Sequence, residues 1–123
     1  MEAGTLTIGD LESPSPEKTA KLIKPEGSLD ESNVDKLSKQ IYDLIEAHPK
    51  NLYLLFDLEK LEYLNSKTIG YFTDWYGRIN QGGGKLGIVN APDNILDILN
   101  SVGLTELVAN YSSMNEAATK LFE

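Results

Sequence analysis

Apolar residues recur along this chain in two periods. Thr5-Leu-Thr-Ile-Gly9 alternates apolar and polar positions, as a half-buried strand does. Glu12-Ser-Pro-Ser-Pro-Glu17 then turns the chain, because proline fixes φ and removes a backbone donor. Lys18 to Lys24 reads as a second strand with Ala20 and Leu22 facing one way, so the first two strands form a hairpin. Pro25-Glu-Gly-Ser-Leu-Asp30 reads as a break, with Asp30 or Ser32 as cap of the next helix. That helix carries Val34, Leu37, Ile41, Leu44 and Ile45 on one stripe and ends before Pro49. Leu52 to Phe56 is apolar throughout, the signature of a strand covered on both faces. A short turn follows, and a helix with Ile69, Phe72, Trp75, Tyr76 and Ile79 on one side opens near Ser66 and stops at Gly82-Gly83-Gly84. Leu86 to Val89 is the next strand. Asp93 is placed to cap a helix carrying Ile95, Ile98, Leu99 and Val102, which Gly103 ends. Leu107 to Ala109 is a short last strand. Ser112 or Ser113 caps a final helix with Met114, Ala117, Ala118, Leu121 and Phe122.

The expected order is therefore β-β-α-β-α-β-α-β-α. Strand and helix alternate from Leu52 onward, which calls for parallel strands, and the opening hairpin makes the sheet mixed. The fold class is α/β with about four helices, and residues 1–123 form one domain, since no linker or repeat divides them.

Composition narrows the function classes. The chain has 123 residues, 11 basic and 19 acidic, for a net charge of −8. A nucleic-acid or anionic-membrane binder needs a basic face, so neither partner is expected. There is no cysteine, which removes disulfides, thiolate metal sites and cysteine nucleophiles and fits a reducing compartment. No apolar run approaches the roughly 20 residues of a membrane span, and Met1 to Glu12 shows no secretory signal pattern, so a cytoplasmic location without membrane insertion is expected.

Few residues carry candidate chemistry. His48 is the one histidine, sits in a helix-terminal turn and has no partner ligands at metal-binding spacing. Gly82-Gly83-Gly84-Lys85 leads from helix to strand, whereas phosphate loops lead from strand to helix. Asp57 closes the core strand, where ligand and phosphoacceptor groups of open α/β sheets gather. It can serve as a phosphoaspartate receiver or simply fix the turn through its side chain. A receiver also needs an acidic pair to hold a divalent cation, and Asp10 is the nearest candidate. Ser66 stands at the mouth of a helix. It can act as an N-cap, worth about 1 kcal/mol, or as an acceptor for a phosphate, which the helix end and Lys60 and Lys67 would screen.

The sequence Asp57 to Leu64, then Asn65-Ser66-x-x-Ile69-Gly70 opening a helix, resembles the STAS domain, and more specifically the bacterial anti-sigma factor antagonists. Gly27-Ser-Leu29-Asp30, Gly84 to Asn90, Leu99-x-x-x-Gly103-Leu104 and Glu116-Ala117-Ala118 match as well, so the resemblance spans nearly the whole chain. The family motif is Asp-Ser-Ser/Thr-Gly-Leu-Gly. Its phosphorylated serine falls on Ser66 and its last glycine on Gly70, while Asn65, Lys67 and Thr68 depart from it. The resemblance implies a partner-switching cycle. The unmodified protein binds an anti-sigma factor that is also a serine kinase, phosphorylation at Ser66 (with Thr68 as fallback) weakens the complex, and a serine phosphatase reverses it. The partner-binding edge would comprise Asp30, Asp57, Asn65, Ser66, Lys67, Thr68 and Gly70. No cofactor is implied, and the chain would be a substrate and binder rather than an enzyme. The departures keep open a non-phosphorylated STAS subunit of a transport or stressosome-like assembly.

Overall fold

The computed structural model describes residues 4–123, so the first three residues of the expected domain lie outside the described residues. The strands are β1 (Thr5–Asp10), β2 (Thr19–Leu29), β3 (Leu52–Asp57), β4 (Leu61–Leu64), β5 (Lys85–Val89) and β6 (Ala109–Tyr111). The helices are α1 (Val34–Ala47), α2 (Ser66–Gln81), α3 (Asp93–Ser101) and α4 (Met114–Lys120), with a 3-10 turn at Leu104–Glu106. One mixed sheet runs β1-β2-β3-β5-β6, and β4 pairs with the far end of β2. Among the described residues, only the β1–β2 pairing is antiparallel. The α/β single-domain class and the mixed sheet expected from the periodicity are what the structure contains.

The unbroken apolar run of β3 has a direct cause. Leu52, Leu54 and Phe56 point into the larger core, beneath Ile41 of α1, Phe72, Trp75 and Ile79 of α2, and Ile95 and Leu99 of α3. Tyr53 and Leu55 point to the opposite face, against Ala20, Val89, Tyr111, Ala117 and Leu121. A strand alternates its side chains between faces, so burial on both requires apolar residues at every position. Ala20 and Leu22 do share a face, the one that α4 covers.

Two features of the sheet differ from the sequence-based expectation. First, β2 does not break at Pro25 but runs on to Leu29. Pro25 pairs with Leu6 of β1, after the last pairing with β3 at Ile23 and before the first with β4 at Gly27. No parallel ladder donor is required there, and an irregular spot of this kind tolerates proline. Gly27 has φ 76°, and the register shifts between Gly27 and Ser28. Second, Leu61–Leu64 is a strand rather than the end of a turn. Its buried, exposed, exposed, buried pattern lacks strand alternation. It forms because the extension of β2 leaves an edge beyond β3 to pair with.

Helix starts shift by one residue in several places. Asn33, not Asp30 or Ser32, precedes α1. Asp30 instead closes a local turn by accepting from the Ser32 amide and hydroxyl at 2.9 and 2.6 Å. Pro92 precedes α3, with Asp93 as its first helical residue. Asn65, not Ser66, caps α2. Ser113 caps α4 as expected, accepting from the Glu116 amide at 3.1 Å. The last strand lies at Ala109–Tyr111 rather than Leu107–Ala109, displaced by the 3-10 turn after Gly103.

Close approach of backbones sets one residue type firmly. A Cβ on Gly84 would lie 1.9 Å from the Leu52 carbonyl oxygen, where β5 enters beside the start of β3. Gly84→Ala must therefore move backbone, and we expect a loss of about 1–3 kcal/mol, read as a lower urea midpoint with an unchanged slope.

Candidate functional site

The site is built where the end of β2 meets the start of α2. Leu29 and Leu64 pair across the β2–β4 ladder, and the Asn65 amide then donates to the Leu29 carbonyl at 3.2 Å. Asn65 itself is extended, with φ −100° and ψ 177°, the geometry of a cap residue. Its Oδ1 accepts from the Thr68 amide at 3.0 Å and from the Thr68 hydroxyl at 2.8 Å. Thr68 Oγ1 also lies 3.4 Å from the Leu29 carbonyl. Asn65 thus caps α2 through a neutral amide oxygen.

This arrangement separates two hydroxyls. Thr68 is fully buried, and its hydroxyl is committed to the cap, so the expected fallback acceptor is inaccessible in this fold. Ser66 is the first residue of α2 and is exposed. Freed of the capping role, it stands at a helix start, where N–H groups are orphaned and a partial positive charge gathers.

Lys67 lies beside it, and a second helix controls that lysine. Its Nζ sits 2.8 and 2.9 Å from the two carboxylate oxygens of Asp35, in the first turn of α1. Tyr71 donates its hydroxyl to the same carboxylate at 2.5 Å. The Lys67 ammonium first, and the Tyr71 hydroxyl second, hold the Asp35 carboxyl below the usual carboxylate range. The bond to Asp35 raises the Lys67 ammonium correspondingly. Further along the same seam, Asp74 accepts from Tyr42 at 2.5 Å and from Arg78 at 2.9 Å. Burial first, and the bond to Asp74 second, push the Tyr42 phenol up to about 12. Tyr71 stacks on Trp75 at 6.0 Å and meets the edge of Tyr42 at 6.1 Å, so the polar seam rests on the aromatic core.

Other sequence candidates fall elsewhere. Asp57 accepts from the Glu59 amide and from Asn90 Nδ2, both at 3.2 Å, so it fixes the turn after β3 and ties it to the end of β5. Asp10 is engaged with Lys21 at 2.6 Å on the β1–β2 hairpin and does not join Asp57. Lys60 lines a cavity of about 300 Å³ with Lys24, Glu26, Asp57 and Glu59, apart from the Ser66–Lys67–Asp35 cluster. Asp30 directly follows Leu29, whose carbonyl accepts from the Asn65 amide. Gly70 faces solvent, and a Cβ there would meet nothing within 4 Å. Gly77, two turns on, is equally bare, and Thr73 and Asp74 lie on the same surface.

Sequence reasoning missed Asp35, Tyr71 and Gly77. The seven-residue spacing of Gly70 and Gly77 on one helix was available as a signal. The pairing of Asp35 with residues 32 and 36 positions away was not.

Comparison with known proteins agrees with this architecture. The STAS domain family matches residues 13–117, and the chain belongs to that family. It is similar to the anti-sigma F factor antagonist of Paenibacillus polymyxa, with 23% identity over 100 residues, covering 81% of this chain and 85% of that protein. Among solved structures, it is similar to an anti-sigma factor antagonist from Mycobacterium paratuberculosis at TM-score 0.80 and 19% identity, covering 98% of this chain and 96% of that one. It also resembles the Bacillus protein SpoIIAA. The unphosphorylated form matches at TM-score 0.70 and 17% identity, covering 94% of this chain and 92% of that one. The phosphorylated form matches at 0.64 and 18%, covering 94% and 96%.

The cap admits a direct test. Asn65→Ala should destabilise the protein by about 1 kcal/mol, whereas Asn65→Asp, which keeps an acceptor and suits the helix dipole, should stay within a few tenths. Equal losses for both in urea denaturation would exclude the capping role.

Proposed function

We propose that this chain is a cytoplasmic anti-sigma factor antagonist, regulated by phosphorylation of Ser66 within a partner-switching pathway. The observation that carries the reading is the exposed Ser66 at the first position of α2, directly after the Asn65 cap, in a chain of the STAS family. The named relatives are anti-sigma factor antagonists, which supports the partner class. The partner is then an anti-sigma factor with serine kinase activity. It transfers the γ-phosphoryl group of ATP to Ser66 Oγ, releasing ADP and the hydroxyl proton. A serine phosphatase hydrolyses the ester. The chain supplies the acceptor and the surface and has no catalytic duty, so it needs no cofactor. Asp30, Asn65, Lys67 and Gly70 frame the contact. Asp57 and Thr68 serve it indirectly by fixing the turn and the cap.

The energetics suffice. Phosphorylation adds about −1.5 to −2 charge. A 100-fold loss of affinity corresponds to about 2.8 kcal/mol, which an unpaired charge desolvated in an interface can supply. No refolding of α2 is needed. The bare face of α2 favours the same reading. Glycine inside a helix costs about 0.5–1 kcal/mol relative to alanine, and no neighbour within the fold requires it at Gly70. Close approach of a partner provides the reason.

A second reading, a STAS subunit that binds without being phosphorylated, draws on Asn65 and Lys67 in place of the family's aspartate and hydroxyl residue.

Incubation with the kinase encoded beside it and ATP, followed by mass spectrometry, should place phosphate on Ser66 and lose it in Ser66→Ala. A stable complex with no phosphate supports the second reading instead. Gly70→Ala should raise the stability of the free protein by about 0.5–1 kcal/mol yet weaken its complex. A variant that binds as well as the native chain would remove Gly70 from the interface.

A further inference from the structure

The cation next in sequence to the acceptor residue already has a partner, and that partner is on another helix. Ser66 and Lys67 are the first two residues of α2, both exposed. Lys67 spans to Asp35 on α1, and the two side chains are 47% and 60% exposed. Glu31, in the turn before α1, also acts on the Lys67 charge. An ion pair this solvated is held weakly and gives way to a stronger anion.

We propose that a phosphate on Ser66 takes Lys67 from Asp35, so that the chain supplies the phosphate's counter-cation and releases a carboxylate at the start of α1. The inference rests on the reading of Ser66 as phosphoacceptor and extends it to how the modification is sensed. Three observations carry it. The phosphate brings up to twice the charge of the carboxylate and three acceptor oxygens. It is attached to the residue next to Lys67, so the exchange asks only for rotation of a flexible side chain with three donors. Asp35 does not lose every partner, because Tyr71 still donates to it. Phosphorylation then alters two helix starts without moving backbone. At α2 the new charge is partly neutralised. At α1 the Asp35 carboxylate loses its cation.

Lys67 is thereby a positioning residue of the switch. It pairs with Asp35 of α1 in the unmodified state and with the phosphate in the modified one. This assigns a role to one of the two residues at which the chain departs in charge from the family motif.

The test uses protein with phosphoserine installed at position 66 during synthesis, compared with unmodified protein, in native and Lys67→Gln backgrounds. Phosphorus NMR reads the second ionisation of the phosphate, and carboxyl carbon NMR reads Asp35. The phosphate should ionise at lower pH in the native background than in Lys67→Gln. Phosphorylation should move the Asp35 signal toward its position in unmodified Lys67→Gln, and should move it much less in that variant. Equal phosphate titrations in the two backgrounds would overturn the proposal. So would an Asp35 signal that ignores the phosphate, or one that moves as far without Lys67. Because no kinase is involved, failure of the kinase assay would remove the functional reading and leave this result standing, and the converse also holds.

Discussion

The backbone of β2 is the constraint from which the rest follows. It runs from Thr19 to Leu29 with its polar groups inside the fold, and such groups must be paired. β1 pairs with it along one edge, and β3 satisfies the other only as far as Ile23. The last residues of β2 need β4, and β4 in turn delivers Asn65 to the Leu29 carbonyl. That single acceptor takes the Asn65 amide and lies within reach of the Thr68 hydroxyl. The start of α2 is therefore anchored by sheet hydrogen bonding, not by its own helix propensity. Ser66 inherits a fixed position from a strand more than thirty residues earlier.

Stability and specificity come from different parts of the α1–α2 seam. Below the surface, Trp75 packs against Phe56, Phe72 and Tyr71, and fully burying one side chain of that size contributes on the order of 2–3 kcal/mol. Above it, the Asp35 and Asp74 clusters are solvated, and exposed pairs of this kind contribute about 0–1 kcal/mol each. The polar seam therefore does little to hold the helices together. Its weakness suits it to rearrangement, because groups bound loosely can change partners without unfolding the core beneath them.

Two glycines show the same division. Gly84 has no room for a side chain, since Leu52 passes directly against it, so its identity is a requirement of the fold. Gly70 has open space around it and lies inside a helix, where glycine is unfavourable. No contact within the fold calls for it. Asp57 resolves in the opposite direction. Placed where ligands of α/β sheets gather, it is instead bonded to Asn90 and its own turn, and belongs to the scaffold.

Much of this was legible in the chain. The all-apolar run at 52–56 announced a central strand, the stripes from Val34 and Phe72 announced helices on one face, and the Asn65–Gly70 motif located the start of α2. Local pattern suffices for these because burial periodicity and helix caps act over a few residues. The continuation of β2 through Pro25 and the existence of β4 were not legible, since each depends on which backbone edge stands opposite. The exact cap was not either. Asn65 and Ser66 are both good cap residues, and only the Leu29 carbonyl decides between them. By itself, then, the sequence determined the α/β class, the core strand, the helical stripes and the candidate hydroxyl. Tertiary structure decided that Thr68 is buried, that Ser66 is free and that Lys67 answers to Asp35. Those three outcomes depend on contacts between residues far apart in the chain, which no local period encodes.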